Sequence, residues 1–155
     1  MSTAYIALGS NLGARESLIG EALAALAADG RVDVVAVSRL RETEPVGVGA
    51  QPRFLNGAAR LETSLAPREL LDRLLDVERR LGRVRSPDDA HGPRTIDLDL
   101  LLYGSASVRE PGLEVPHPRL HERRFVLEPL ADLDPALEIP GRGTVQGLLA
   151  GLQSS

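Results

Sequence analysis

Apolar positions along this chain change period several times, and each change marks an element. Residues 4–9, A-Y-I-A-L-G, form a short apolar run closed by the turn G-S-N-L-G, which predicts a first strand. From Arg15 to Ala28 the residues Leu18, Ile19, Ala22, Leu23, Ala25 and Leu26 recur at helical spacing, and Asp29-Gly30 stops the helix. Val32 to Leu40 is β-branched and partly alternating, a second strand. Residues 42–53 hold two prolines and two glycines and predict a loop of a length that usually serves binding. Phe54 to Glu62 predicts a third strand, with Leu55, Gly57, Ala59 and Leu61 on one face and Phe54, Asn56, Ala58 and Arg60 on the other. Pro67 opens a second helix whose apolar stripe is Leu70, Leu71, Leu74, Leu75 and Leu81, ended by Gly82.

A second polar loop, R-V-R-S-P-D-D-A-H-G-P-R, then leads into Ile96–Tyr103, which predicts a buried strand stopped at Gly104. Later, V-P-H-P-R at 115–119 is stiff backbone, Glu122 to Leu130 predicts a short helix, and the tail from Gly143 ends in a short amphipathic one. With no repeat, low-complexity tract or linker, residues 1–155 are expected to form a single domain.

Some polar residues break these patterns. Asp97 and Asp99 interrupt the strand after the second loop, and at i and i+2 they share a face, roughly 6.6 Å apart. Leu98, Leu100 and Leu102 then take the opposite, core-facing side. Paired carboxylates repel, and a divalent cation such as Mg²⁺ relieves that repulsion; an edge strand facing water is the plainer alternative. Arg94, three residues earlier, favours phosphate chemistry, which needs cation and metal together. Arg83, Arg85 and Arg94 fit either solvated or paired side chains or a phosphate clamp. Glu78 falls on the apolar stripe of its helix, where a cationic partner is expected. Phe54 beside Asn56 fits a surface pair or a platform for a planar heterocycle. His117, between two prolines, fits a structural role as well as a functional one.

Composition narrows the chemistry. The chain has no cysteine, which removes disulfides, thiolate nucleophiles and Cys-based zinc sites. All of its 18 cationic residues are arginine, so a Walker-type phosphate loop, which needs lysine, is excluded. A net charge of -4 argues against a general nucleic-acid binder. No run approaches a membrane span and no basic, apolar leader opens the chain, so a cytoplasmic protein with no membrane partner is expected. Only Tyr5, Phe54, Tyr103 and Phe125 are aromatic, few enough that each calls for an explanation.

In order, the segments Y-I-A-L-G-S-N-L-G, T-E-P-V-G, Q-P-R-F-L-N, L-G-R-V-R, G-P-R-T-I-D-L-D-L-L-L-Y-G and V-P-H-P-R-L-H-E-R-R-F-V-L-E-P-L resemble the 6-hydroxymethyl-7,8-dihydropterin pyrophosphokinase family of folate biosynthesis. The resemblance runs from about residue 4 to 135, and G-P-R-T-I-D-L-D-L is its most specific part. It implies an α+β, ferredoxin-like fold, an antiparallel sheet with helices packed on its faces. It also implies pyrophosphoryl transfer from ATP to the pterin hydroxymethyl group with release of AMP, by a monomer using two Mg²⁺ ions.

Residue by residue, Asp97 and Asp99 match the family's metal ligands, and Asp97 also borders the pterin. Arg83 and Arg94 match the loop arginines that act on the ATP phosphates; with the two aspartates they make up the expected catalytic set. Phe54 and Phe125 match the aromatics that sandwich the pterin, Asn56 the residue that reads its edge, and Thr43 and Val46 the adjoining loop. Glu78, His117 and Arg123 match polar residues of the ATP site, and Leu71, Leu100 and Leu113 fall where the adenine pocket is lined. The chain departs from relatives at Ala90-His91, where an R-W pair is common, at Leu75 in place of a glutamine, and at Pro118 in place of a tyrosine. Two other readings compete: a non-catalytic pterin or nucleotide sensor, and a D-x-D phosphotransferase or hydrolase with a different acceptor.

Overall fold

The structure, a computed structural model, describes residues 1–10, 15–43, 54–83 and 96–153, with the side chains of Arg15, Thr43, Phe54, Arg83 and Gln153 outside that description. In order, its first elements are β1 (Ser2–Ser10), α1 (Arg15–Ala27), β2 (Val32–Val37), β3 (Arg41–Thr43), β4 (Phe54–Thr63), α2 (Pro67–Arg83) and β5 (Ile96–Tyr103). The strands form one antiparallel sheet in the order β2-β4-β1-β5, and the short β3 continues along the same edge of β4 as β2. That order, with α1 and α2 as crossovers, is the ferredoxin-like β-α-β-β-α-β arrangement. The remainder comprises the hairpin β6 (Val108–Glu110) and β7 (Leu113–Val115), a 3-10 turn at Leu120–Glu122, α3 (Arg124–Leu133), the small ladder β8 (Glu138–Ile139) and β9 (Gly143–Thr144), and α4 (Val145–Gln153).

Strand alternation gives the sheet two covered faces. Leu55, Ala59 and Leu61 of β4 join Leu98 and Leu100 of β5 under Leu18, Ile19 and Leu26 of α1 and Leu70, Leu74 and Val77 of α2. The opposite face carries Tyr5 and Ala58 under Val126, Leu127 and Leu130 of α3 and Val145 of α4. The parity expected for β4 therefore holds.

It fails for Leu102. A bulge on β5 pairs Tyr5 with Leu102 but Ile6 with Leu100, so Leu101 is an extra residue. Leu102 consequently joins the α3 core with Leu101 instead of sharing a face with Leu98 and Leu100. Strand periodicity cannot foresee a slip of one residue.

Two aromatics are structural. Tyr5 is buried in the α3 core, and the Tyr103 hydroxyl donates to the Leu65 carbonyl.

Candidate active site

Among the described residues β5 is an edge strand of the sheet, and the candidate site gathers on it. Asp97 and Asp99 occupy alternate positions between buried Ile96, Leu98 and Leu100, and both side chains reach solvent. The protein packed around Asp97, and then the charge of Asp99, push the Asp97 carboxyl above its usual range.

Helix α2 runs beside this edge with two stripes rather than the single one expected. Leu70, Leu74 and Val77 enter the core, whereas Leu71, Leu75 and Glu78, also spaced i, i+4, i+7, face a cleft. Glu78 was expected to meet a cation; among the described residues its hydrogen-bond partner is the Leu98 backbone N–H, which its Oε2 accepts at 2.6 Å. An edge strand has unpaired amides, and here a carboxylate caps one of them. Loss of hydration raises the Glu78 pKa, the Leu98 bond lowers it, and the charges of Asp97 and Asp99 raise it further.

The cleft has a volume of about 360 Å³. Its walls are Leu71, Leu75 and Glu78 of α2, Leu98, Asp99 and Leu100 of β5, Glu110, Leu113 and Glu114 of the hairpin, and His117 with Pro118. Five residues expected at an ATP site (Leu71, Glu78, Leu100, Leu113 and His117) thus meet around one space with Asp99. His117 is tied to the bulge, because its N–H donates to the Leu101 carbonyl at 2.9 Å. Its Nδ1 accepts the Arg119 N–H at 3.3 Å, which leaves the proton of a neutral ring on Nε2. Burial lowers the His117 pKa, helped by the charges of Arg123 and Arg119 and opposed by that of Asp99.

A second locus lies on the α3 face. Asn56 stands opposite Gly9, and Gly9 opposite Asp97, across three adjacent strands. A side chain at Gly9 would meet Asn56 Oδ1 at 3.3 Å and Asp97 Cβ at 3.9 Å, so both side chains flank a hollow that glycine leaves open. Ala7 and Ala58 continue this floor of small residues on the same face. At the start of α3, Phe125 is 39% exposed, and the Arg123 guanidinium lies 5.7 Å from its ring centroid. Arg123 therefore sits with Phe125 and is not among the residues lining the cleft.

Of the remaining expected residues, Val46, His91 and Arg94 lie outside the described residues, as do the side chains of Thr43, Phe54 and Arg83. The hairpin's Glu110 and Glu114, the Leu98 amide and Gly9 were not foreseen. Only Gly9 carried a signal, a glycine at the end of the first strand.

The chain matches the family 7,8-dihydro-6-hydroxymethylpterin-pyrophosphokinase (HPPK) over residues 5–135. It belongs to this family. A 2-amino-4-hydroxy-6-hydroxymethyldihydropteridine pyrophosphokinase of Pseudomonas aeruginosa is 48% identical over 146 residues, covering 94% of this chain and 89% of that one. The protein of the same name from Bacillus subtilis is 48% identical over 130 residues, covering 84% and 77%. Among solved structures, that of Plasmodium falciparum HPPK-DHPS with pteroate superposes with a TM-score of 0.74 at 14% identity, over 99% of this chain and 42% of that one. At that identity the likeness shows the shared fold. The HPPK relatives favour neither the sensor reading nor a different acceptor.

Proposed function

We propose that this chain transfers pyrophosphate from ATP to the hydroxymethyl group of 6-hydroxymethyl-7,8-dihydropterin, giving AMP and the pterin diphosphate, in tetrahydrofolate biosynthesis. It does so as a cytoplasmic monomer, with residues 1–155 as one pterin pyrophosphokinase domain. The observation that carries this reading is the cleft beside Asp99, where five side chains expected around ATP converge.

In this cleft the adenine lies between Leu71, Leu100 and Leu113. Because the Leu98 N–H points outward to Glu78, the next outward position on β5 is Leu100, whose backbone can pair with the edge of a planar base. His117 Nε2–H faces ATP as a neutral donor, and Arg123 adds positive charge at the junction with Phe125. The pterin lies on the floor of Asn56, Gly9 and Asp97, with Phe125 and Phe54 against its ring and Thr43 and Val46 beside it.

Asp97 and Asp99 suit Mg²⁺: they are hard oxygen donors on one strand face, and burial, with the charge of Asp99 beside it, raises the Asp97 carboxyl, a cost that a bound cation would offset. Two bound Mg²⁺ ions would neutralise charge on the ATP phosphates. The pterin hydroxyl oxygen bonds to the β-phosphorus as the bond from that phosphorus to the AMP oxygen breaks and the hydroxyl proton passes to solvent; Arg83 and Arg94 neutralise the growing charge, and positioning supplies much of the rate.

Calorimetry with 6-hydroxymethylpterin, with and without a non-hydrolysable ATP analogue, tests the assignment. Pterin binding strengthened by the analogue is expected; no pterin binding overturns it. Asp97→Ala should abolish AMP formation, and near-normal turnover would refute the metal role of that carboxylate.

A further inference from the structure

On the sheet face covered by α3, Arg41 stands opposite Asn56, Asn56 opposite Gly9 and Gly9 opposite Asp97, a single cross-strand row. Directly opposed residues share a face, so Arg41 ends the row that floors the hollow. Its guanidinium grips Asp132 through two N–H···O bonds of 2.7 and 2.9 Å. The two side chains are only 27% and 24% exposed, and such a fork fixes direction as well as distance.

Asp132 lies on α3 four residues after Glu128 and seven after Phe125, so the three share one stripe of the helix. Glu128 adds its own attraction to Arg41. The N-terminal end of α3, which bears Phe125, has no side-chain cap to hold it. Among the described residues, packing, the Arg41 fork and a backbone bond from Arg39 to Asp132 hold the helix to the sheet.

We propose that Arg41 is a positioning residue for the pterin half of the site: by tying Asp132 to β3 it holds α3, and Phe125 with it, at one spacing from the row Asn56–Gly9–Asp97. The inference rests on the reading of that row as the pterin floor. The nucleotide cleft is built from α2, β5 and the hairpin and touches neither partner of the fork, so the two substrates should respond differently.

Arg41→Gln and Asp132→Asn should weaken pterin binding about tenfold, because binding must then order α3 and Phe125 at the spacing the fork no longer holds. The KM for ATP should stay within about twofold. Combining Arg41→Asp with Asp132→Arg should recover much of the pterin affinity. If Arg41→Gln fails to fold, Arg41→Lys, which keeps the charge but not the fork, should show a smaller loss of the same kind. Folded variants with unchanged pterin affinity, or with both KM values raised equally, overturn the positioning role. A wild-type chain that binds ATP but no pterin overturns the reading of the floor itself.

Discussion

Glu78 shows how a single side chain trades stability for a site. Its carboxylate caps the Leu98 amide, a task that a neutral amide oxygen can also perform, though with a weaker bond. Because its pKa is raised on folding, the native state binds more protons than the unfolded one. Stability therefore falls as pH rises from the unfolded carboxyl value of 4.5 through the folded one. Glu78→Gln keeps the acceptor and removes the charge. In thermal unfolding without divalent cations, it should melt above the wild type at pH 7.5, with the gap closing as pH falls below that unfolded value. A gap independent of pH would show that charge is not the cause. Gly9 makes the complementary case by absence. Its one tight contact is with Asn56 Oδ1 at 3.3 Å, so the methyl of Gly9→Ala should crowd Asn56 and fill the hollow, and pterin affinity should fall about tenfold. Isothermal titration of the alanine variant checks the affinity.

At the scale of elements, the β6–β7 hairpin is the least embedded wall of the cleft. Arg68, in the first turn of α2, fastens its tip by donating to Glu110 Oε1 at 2.9 and 3.2 Å and to the Pro111 carbonyl at 2.7 Å. Both side chains are well exposed, so solvent screens the pair and its worth is about 1 kcal/mol or less. Arg68→Ala should accordingly leave kcat unchanged, raise the KM for ATP by about two- to fivefold, and speed amide exchange in the hairpin. Exchange confined to wild-type rates would remove Arg68 as its anchor. Helix α2 itself serves both sides of this arrangement, packing Leu70, Leu74 and Val77 inward while Leu71, Leu75 and Glu78 line the cleft.

Across the whole molecule, the sheet separates two cores, and each supports one half of the site. Leu74, under the α2 side, and Leu127, under the α3 side, are both fully buried. Truncating either to alanine should cost about 2–5 kcal/mol, read as a lower urea midpoint at unchanged slope. Much of this architecture was legible in the chain. The parity of β4, the apolar stripes of α1 and α2, and the i, i+2 placement of Asp97 and Asp99 follow from local periodicity, which needs no knowledge of neighbours. The family motif likewise marked Leu71, Glu78, Leu100, Leu113 and His117 before their cleft was seen. Other features arise only when distant segments meet. The bulge that moves Leu102 across the sheet reflects pairing with β1, the partner of Glu78 is an amide made available by sheet order, and the Arg41–Asp132 fork joins residues far apart in sequence. Periodicity thus determined which faces are buried and where the carboxylates stand. Tertiary structure alone decided what fills the edge of β5 and what holds α3 in place, because hydrogen-bond partners across a fold depend on register and topology, which no local pattern encodes.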